Sequence, residues 1–289
     1  MTKTKIRFIP LDAVLIVLIL AAGTYLVRRI GVEMDYHWQW PVILQYLVRT
    51  DGGSWAAGSL TQGFLTTIKL SLWATFLATF FGTIMGLMRV SHSLFHRLIA
   101  GSYVELVRNL PPLILVFIVY FFIGERIMTV FGVENFIRSA SPETQSMLTA
   151  IFAPPARLSG FFAGLATLVL YEAAYITEIV RAGIQSIEKG QWEAAHALGL
   201  SRGQQLRDVI LPQALRRILP ALAGQIISTI KDSAIVSVIS IPELTFQGLE
   251  LMSATYLTFE VWITITALYF ILTFSFSLGV RRLETAWQK

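Results

Sequence analysis

Gln191-Trp-Glu-Ala-Ala-His-Ala-Leu-Gly199, followed by Val209-Ile-Leu-Pro212, is a polar segment set between two apolar stretches of membrane length. Its punctuation predicts two short helices. Gly190 precedes the first; Ala194, Ala195 and Ala197 keep it slim; and Gly199 supplies a residue that can turn left-handed and end it. Ser201, with Gln204 three positions on, predicts a capping box that starts the second. That helix runs through Leu206, Val209 and Ile210 and is expected to stop at Pro212, which lacks an N–H and has a fixed φ. A small polar knob on a membrane-embedded chain is the result.

The composition agrees with an embedded chain. Of 289 residues, 55% are hydrophobic and only 14% charged, and the mean hydropathy is +0.64. The fold class expected is an all-α integral membrane protein, a helical bundle with spans near 10–29, 61–88, 103–123, 160–180, 219–240 and 259–280. Each is close to the roughly 20 apolar residues a helix needs to cross the bilayer core. Lys3, Lys5 and Arg7 before Leu11–Val27, with the small residues Ala21-Ala22-Gly23, have the look of a secretory signal. The apolar run continues through Tyr25-Leu26-Val27, so a retained span is expected instead.

The distribution of Lys and Arg sets the orientation, because cytoplasmic loops carry the excess. Of the 23 such residues, Arg28, Arg29, Arg49, Arg126, Arg138 and Arg157 fall outside and Lys69 and Lys231 within spans if the amino terminus is inside. The others, from Lys3 to Lys289, fall on the side of the knob. Both termini and the knob are therefore expected in the cytoplasm of a cell with a multi-pass inner-membrane protein. This asymmetry accounts for the pI of about 9.6 without nucleic acid. The absence of cysteine excludes disulfides and thiolate metal sites. His92 and His96 have i,i+4 spacing but lie in the basic turn Arg89–Arg97, a solvated loop rather than a metal site. No metal and no cofactor is expected.

The chain divides into a cytoplasmic tail (1–9), a first span with an extracytoplasmic loop (10–60) and a membrane core (61–289). The first loop carries Trp38, Trp40 and Trp55 and a Gly-rich turn at Gly52-Gly53, as suits an interfacial, partly amphipathic segment. Gly82 and Gly86 form a small-xxx-small step for close helix packing. Within the core, 124–159 is expected to be an extracytoplasmic insertion with one short helix near 143–152, and 181–218 the cytoplasmic loop.

The knob's pattern, with Glu193, Ala194, Ala195, Gly199, Leu211 and Pro212 in register, resembles the cytoplasmic EAA loop of ABC importer permeases, with Val209 where that family usually has Ile. Tyr171-Glu-Ala-Ala-Tyr-Ile-Thr-Glu178-Ile-Val-Arg181-Ala-Gly-Ile184 is similar to the run leading into that loop, with Ala182 replacing a Gly. Arg108-Asn-Leu-Pro-Pro112 partly resembles the Arg-Gly-Thr-Pro stretch of polar amino acid permeases; Asn109 and Leu110 replace Gly-Thr, and Leu115 stands where many members carry Gln. The resemblance implies that the loop seats in a groove of an ABC ATPase. It also implies an ATPase pair, a second permease copy or paralogue, an extracytoplasmic solute-binding protein and the lipid bilayer as partners. By its residues alone, Arg108-Asn-Leu-Pro-Pro112 is either a broken helix lining a cavity or an interfacial helix start, because two prolines forbid regular helix there.

Charges within spans cost roughly 2.5–3.5 kcal/mol each at mid-membrane on insertion scales, so each needs a reason. Lys231 and Asp232 adjoin, with Ser233, and point about 100° apart on a helix. Either one lines a translocation path or the pair serves assembly with a neighbouring helix. Glu178 is expected to pair with Arg181 at i+3. The deeper Glu172 is a candidate determinant for a cationic group of the solute, and Lys69 is expected to snorkel or pair with an acid. Glu172, Arg108, Lys231, Asp232 and Ser233 make up the candidate path.

No G-x-x-x-x-G-K-[ST] run exists, so a P-loop motor must be another polypeptide. The expected function is a non-catalytic importer permease for polar amino acids, working by alternating access. The alternatives are a permease for another small solute, a gated channel, which needs no ATPase-shaped knob, and a membrane enzyme, for which a convergent catalytic set is missing from the sequence.

Overall fold

A computed structural model describes residues 10–287 except 34–35, 52–53, 125, 127–129, 131, 133–135 and 138. Lys3, Lys5, Arg7, Arg138, Lys289 and the Gly52-Gly53 turn lie outside the described residues. The chain forms two units, Met1–Gln45 and Tyr46–Lys289.

In the first unit, α1 (Pro10–Glu33) is an uninterrupted helix of 24 residues, about 36 Å long at 1.5 Å per residue, which suffices for a span. After it, the indole of Trp38 stacks on that of Trp40 with centroids 5.8 Å apart, and Tyr36 meets Trp38 edge-on at 5.2 Å. Trp40 opens α2 (Trp40–Leu47), so the amphipathic segment expected in this loop takes the form of a short helix.

The second unit opens with a hairpin that was not expected: β1 (Val48–Asp51) pairs antiparallel with β2 (Ser54–Ala57), placing Thr50 opposite Trp55. β-branched and aromatic residues flanking a two-residue glycine link favour this ladder over helix. The principal elements after it are helices: α3 (Ser59–Arg89), α4 (Leu94–Asn109), α5 (Pro112–Ile118), α6 (Pro142–Ile151), α7 (Leu158–Gln185), α8 (Lys189–Ala197), α9 (Leu211–Asp232), α10 (Leu244–Thr255) and α11 (Thr258–Trp287).

α3 and α7 form the spine. Gly82 and Gly86 bring them together as their spacing predicts. A Cβ on Gly82 would lie 2.8 Å from Ile176 Cβ, and one on Gly86 2.6 Å from Val180 Cβ. Small residues allow such an approach in lipid, where packing rather than water exclusion holds helices together. Thr177, fully buried, sits in this seam with its hydroxyl bonded to the Ala173 carbonyl at 2.7 Å. Around the seam, one apolar cluster gathers Leu70, Phe161, Leu165 and Val236, and another Ile176, Val180, Ile210 and Ile218.

The expected span 103–123 is not one helix. Leu94–Asn109 and Pro112–Phe122 meet at 115°. Leu110 is extended (φ −89°, ψ 141°) because the ring of Pro111 disfavours helical backbone before it, and neither proline can donate to the preceding turn. Arg108–Pro112 is thus a sharp break, with one helix ending at Asn109 and the next starting at Pro112. α5 then widens into a π-turn, Val119–Gly124.

Pro212 does not stop the helix as expected. From Arg202 the chain stays helical to Ile239, through the turn Arg202–Gln204, a π-turn Gln205–Ile210, α9 and a 3₁₀ turn Ser233–Ile239. The π-turn opens the ladder just where the proline ring would otherwise press on the carbonyl four residues back. The second half of the 181–218 loop is thus the foot of the fifth span. That span is regular α-helix only to Asp232, not across the whole of 219–240.

Lys69 pairs with no acid among the described residues. Its Nζ donates to the Thr149 carbonyl at 2.7 Å, at the carboxyl end of α6, where the helix dipole favours a cation. Trp73 Nε1 donates to the Ile151 carbonyl, so α3 holds the end of the helix expected near 143–152. Among the described residues, five helices are long and apolar enough to cross a membrane, and the bent pair α4–α5 makes up to six.

Candidate functional site

The knob is built from its own end-caps. Gly199 adopts φ +77°; its N–H donates to the His196 carbonyl at 2.9 Å and Leu200 N–H to the Ala195 carbonyl at 3.2 Å. That pair of bonds is a Schellman ending for α8. Ser201 N–H donates to Gln204 Oε1 at 2.9 Å, the reciprocal bond of a capping box. Gln205, nearly buried, donates to the Leu200 carbonyl at 2.7 Å, and Gln213 Nε2 reaches Gln191 Oε1 at 3.0 Å. The Arg202 guanidinium lies 3.7 Å from the centre of the Trp192 ring, a cation–π lid over the bend.

This geometry divides the residues that the sequence grouped. Glu193, Ala194, Gly199 and Pro212 are exposed; Ala195, 2% exposed, faces inward; and Leu211 is half-buried. Glu193 is in mid-helix rather than at the helix start and makes no ion pair among the described residues. Leu198, 80% exposed at the tip, was missed. It is signalled only by an apolar residue directly before a capping glycine. Beside the knob a cavity of about 630 Å³ is lined by Arg89, Arg97, Lys189, Glu193 and Arg202.

Above the knob, Glu178 pairs with Arg181 as expected, at 2.6 Å, and its other oxygen accepts from Arg89 of α3 at 3.1 Å. Arg217 adds a bond from α9 to the Ser186 carbonyl at the end of α7.

Of the candidate path residues, Arg108, Glu172 and Asp232 are joined through their neighbours, whereas Lys231 and Ser233 are not. Arg108 lies 5.2 Å from the Tyr175 ring centre and, with Tyr175, Arg217 and Gln225, lines a cavity of about 600 Å³. Gln225, which the sequence reading did not single out, donates to Glu172 Oε2 at 2.6 Å. Glu172 is fully buried and its Oε1 has no partner among the described residues. Arg108, Tyr175, Gln225 and Glu172 therefore form one connected group, and the Asp232 carboxyl joins it at Glu172. Lys231, Asp232 and Ser233 do not line that cavity. Lys231 is exposed, Asp232 half-buried, and buried Ser233 donates to the Ile230 carbonyl at 2.8 Å. Among the described residues, no His, Asp or Glu cluster is placed to hold a metal ion.

A helical membrane core with a capped knob between its fourth and fifth spans defines a transporter permease. Over residues 78–289 the chain matches the family described as binding-protein-dependent transport system inner membrane component, and it belongs to that family. The glutamine transport system permease protein GlnP of Escherichia coli (strain K12) is 34% identical over 220 residues, 75% of this chain and 89% of GlnP. A crystal structure of an amino acid ABC transporter with histidines is similar at 31% identity and TM-score 0.66, covering 87% of this chain and all of that one. The MetNI methionine transporter in an inward-facing conformation shares the fold, at 20% identity and TM-score 0.59 over 79% of this chain and 95% of that one. The chain is thus a multi-pass inner-membrane permease of an ATP-driven importer. It is not itself catalytic; the ATPase and the solute-binding protein are separate partners.

Proposed function

We propose that this permease carries polar amino acids, L-glutamine first among them, and that α8 is the element through which its ATPase drives it. The carrying observation is the knob itself: a nine-residue helix closed by Gly199, with Glu193, Ala194 and Leu198 turned outward. A charge beside a slim surface and an apolar tip suits a groove with a basic rim and a hydrophobic floor. Gly199, Leu211 and Pro212 set its pose, and Ala195 lets α8 lie close to the π-turn.

ATP binding would bring two such knobs together, so two permeases, identical or paralogous, face an ATPase pair. Both termini lie in the cytoplasm on this reading. Closure of the motor rocks α7 and α9 through the Glu178 and Arg217 contacts, exposing the Arg108–Gln225 cavity to alternate sides. Glu172, Arg108 and Gln225, with Asp232 beside Glu172, offer polar partners for an amino acid side chain, while Lys231 and Ser233 stand outside that group. The substrate assignment draws on the glutamine specificity named for GlnP.

The test is uptake of radiolabelled L-glutamine into proteoliposomes holding the permease, its ATPase and its binding protein. ATP-dependent uptake with amino acid selectivity is expected. Uptake of a sugar or an inorganic ion instead would overturn the substrate assignment.

A further inference from the structure

At the end of α7 away from the knob lies a third cavity of about 300 Å³, the size of a site for a small organic molecule. α7 has 28 residues, so about 42 Å separates its ends. Arg157 adjoins the first residue of α7, and Gln185, the last, borders the knob cavity. By the orientation proposed above, this third cavity opens on the outer side.

Its walls are fixed. Glu243, fully buried, caps α10 by accepting from Phe246 N–H at 2.8 Å, and it also accepts from Tyr269 at 2.7 Å. Leu244 N–H donates to Thr67 Oγ1 at 3.1 Å, which pins α10 to α3. Phe246 and Glu250, four residues apart, project from one face of α10 into the cavity, and Phe161 and Tyr120 supply further aromatic wall. Ser240, at φ +60°, turns the chain around the rim.

Two charged side chains line this space, Arg157 and Glu250. Neither is paired with the other, or with any charged partner among the described residues. A guanidinium is a forked donor for a carboxylate, a carboxylate accepts from an ammonium, and the aromatic wall tolerates an uncharged remainder. We propose that this cavity is an entry site for the zwitterionic head of an α-amino acid, with Arg157 holding its carboxylate and Glu250 its ammonium group before the solute moves inward. The proposal rests on the reading of the chain as an amino acid permease and adds to it the feature recognised.

The chain has no cysteine, so Ala156→Cys on the exposed cavity rim is its sole thiol. In the assembled complex in nanodiscs, the rate at which a maleimide labels that thiol is measured with L-glutamine, with glutaramic acid, which lacks the α-ammonium, and with 4-aminobutanamide, which lacks the carboxylate. L-Glutamine should protect at concentrations about tenfold below either analogue, as loss of one charge-assisted contact implies. Glu250→Gln should weaken protection by L-glutamine to the level of glutaramic acid while leaving glutaramic acid unchanged. Arg157→Gln should do the same with respect to 4-aminobutanamide, and Arg157→Lys and Glu250→Asp should restore protection in part. Equal protection by all three compounds, absence of protection by L-glutamine, or indifference to both substitutions would overturn the entry site. L-Glutamine uptake in parallel vesicles separates the two failures: uptake without protection defeats the entry site alone, whereas uptake of no amino acid defeats the underlying function.

Discussion

Arg89, the last residue of α3, donates to Glu178 of α7 at 3.1 Å, and this contact closes the spine of the permease beside the knob. Glu178 also holds Arg181, so one carboxylate bridges two guanidinium groups. Both oxygens are engaged in a site where Arg89 is 23% and Glu178 17% exposed. Replacing Glu178 by Gln should leave two cations facing each other and lower stability by about 1–3 kcal/mol. Thermal unfolding of the purified permease would show it, and an unchanged midpoint would mean that solvent screens the pair completely.

Gly86 meets Val180, and Gly82 meets Ile176, closer than any Cβ allows. Gly86→Ala should therefore force the spine apart and cost about 1–3 kcal/mol of packing. Gly279→Ala, with nothing within 4 Å, should be neutral or stabilising by up to about 1 kcal/mol. Equal unfolding midpoints for the two variants would contradict the seam.

Much of this spine was legible in the sequence. The glycine spacing, the Glu178–Arg181 pair, the Gly199 ending of α8, the capping box at Ser201 and the break at Pro111-Pro112 are local signals, written within a few residues of where they act; Gly190, expected just before α8, lies inside it. Arg89–Glu178 and Gln225–Glu172 were not legible, because each joins residues on different helices far apart in the chain. Pro212 misled for a related reason: its local rule is to break helix, and the π-turn that absorbs it is held by α8 packing against Gln205–Ile210. The exposed Leu198 and the inward Ala195 follow from how α8 is rotated, which composition alone does not specify.

Gly199 at φ +77° is the point where side-chain-bearing residues are strained by about 1–2 kcal/mol. Gly199→Val should loosen the end of α8 without affecting membrane insertion, and solute-stimulated ATP hydrolysis by the complex should fall sharply. Normal stimulation would show that the ending of α8 is irrelevant to coupling.

Gln225→Leu removes the partner of Glu172 Oε2 in a site where Oε1 already lacks one. An unpaired buried carboxylate should slow L-glutamine uptake by roughly tenfold or more while the amount of complex stays the same. Lys231→Gln, exposed and outside that cavity, should have the smaller effect. The reverse order would move the path to the end of α9.

The central claim is that α8 is where the ATPase grips. Because the chain lacks cysteine, Ala194→Cys gives one thiol on the outward face of α8, and Ser240→Cys gives one at the opposite end of the bundle. A short thiol-to-lysine cross-linker applied to the assembled complex should join Ala194→Cys to the ATPase in high yield and leave Ser240→Cys unjoined to it. Cross-linking of the ATPase to Ser240→Cys, or its absence at Ala194→Cys in a complex that still transports, would contradict the account.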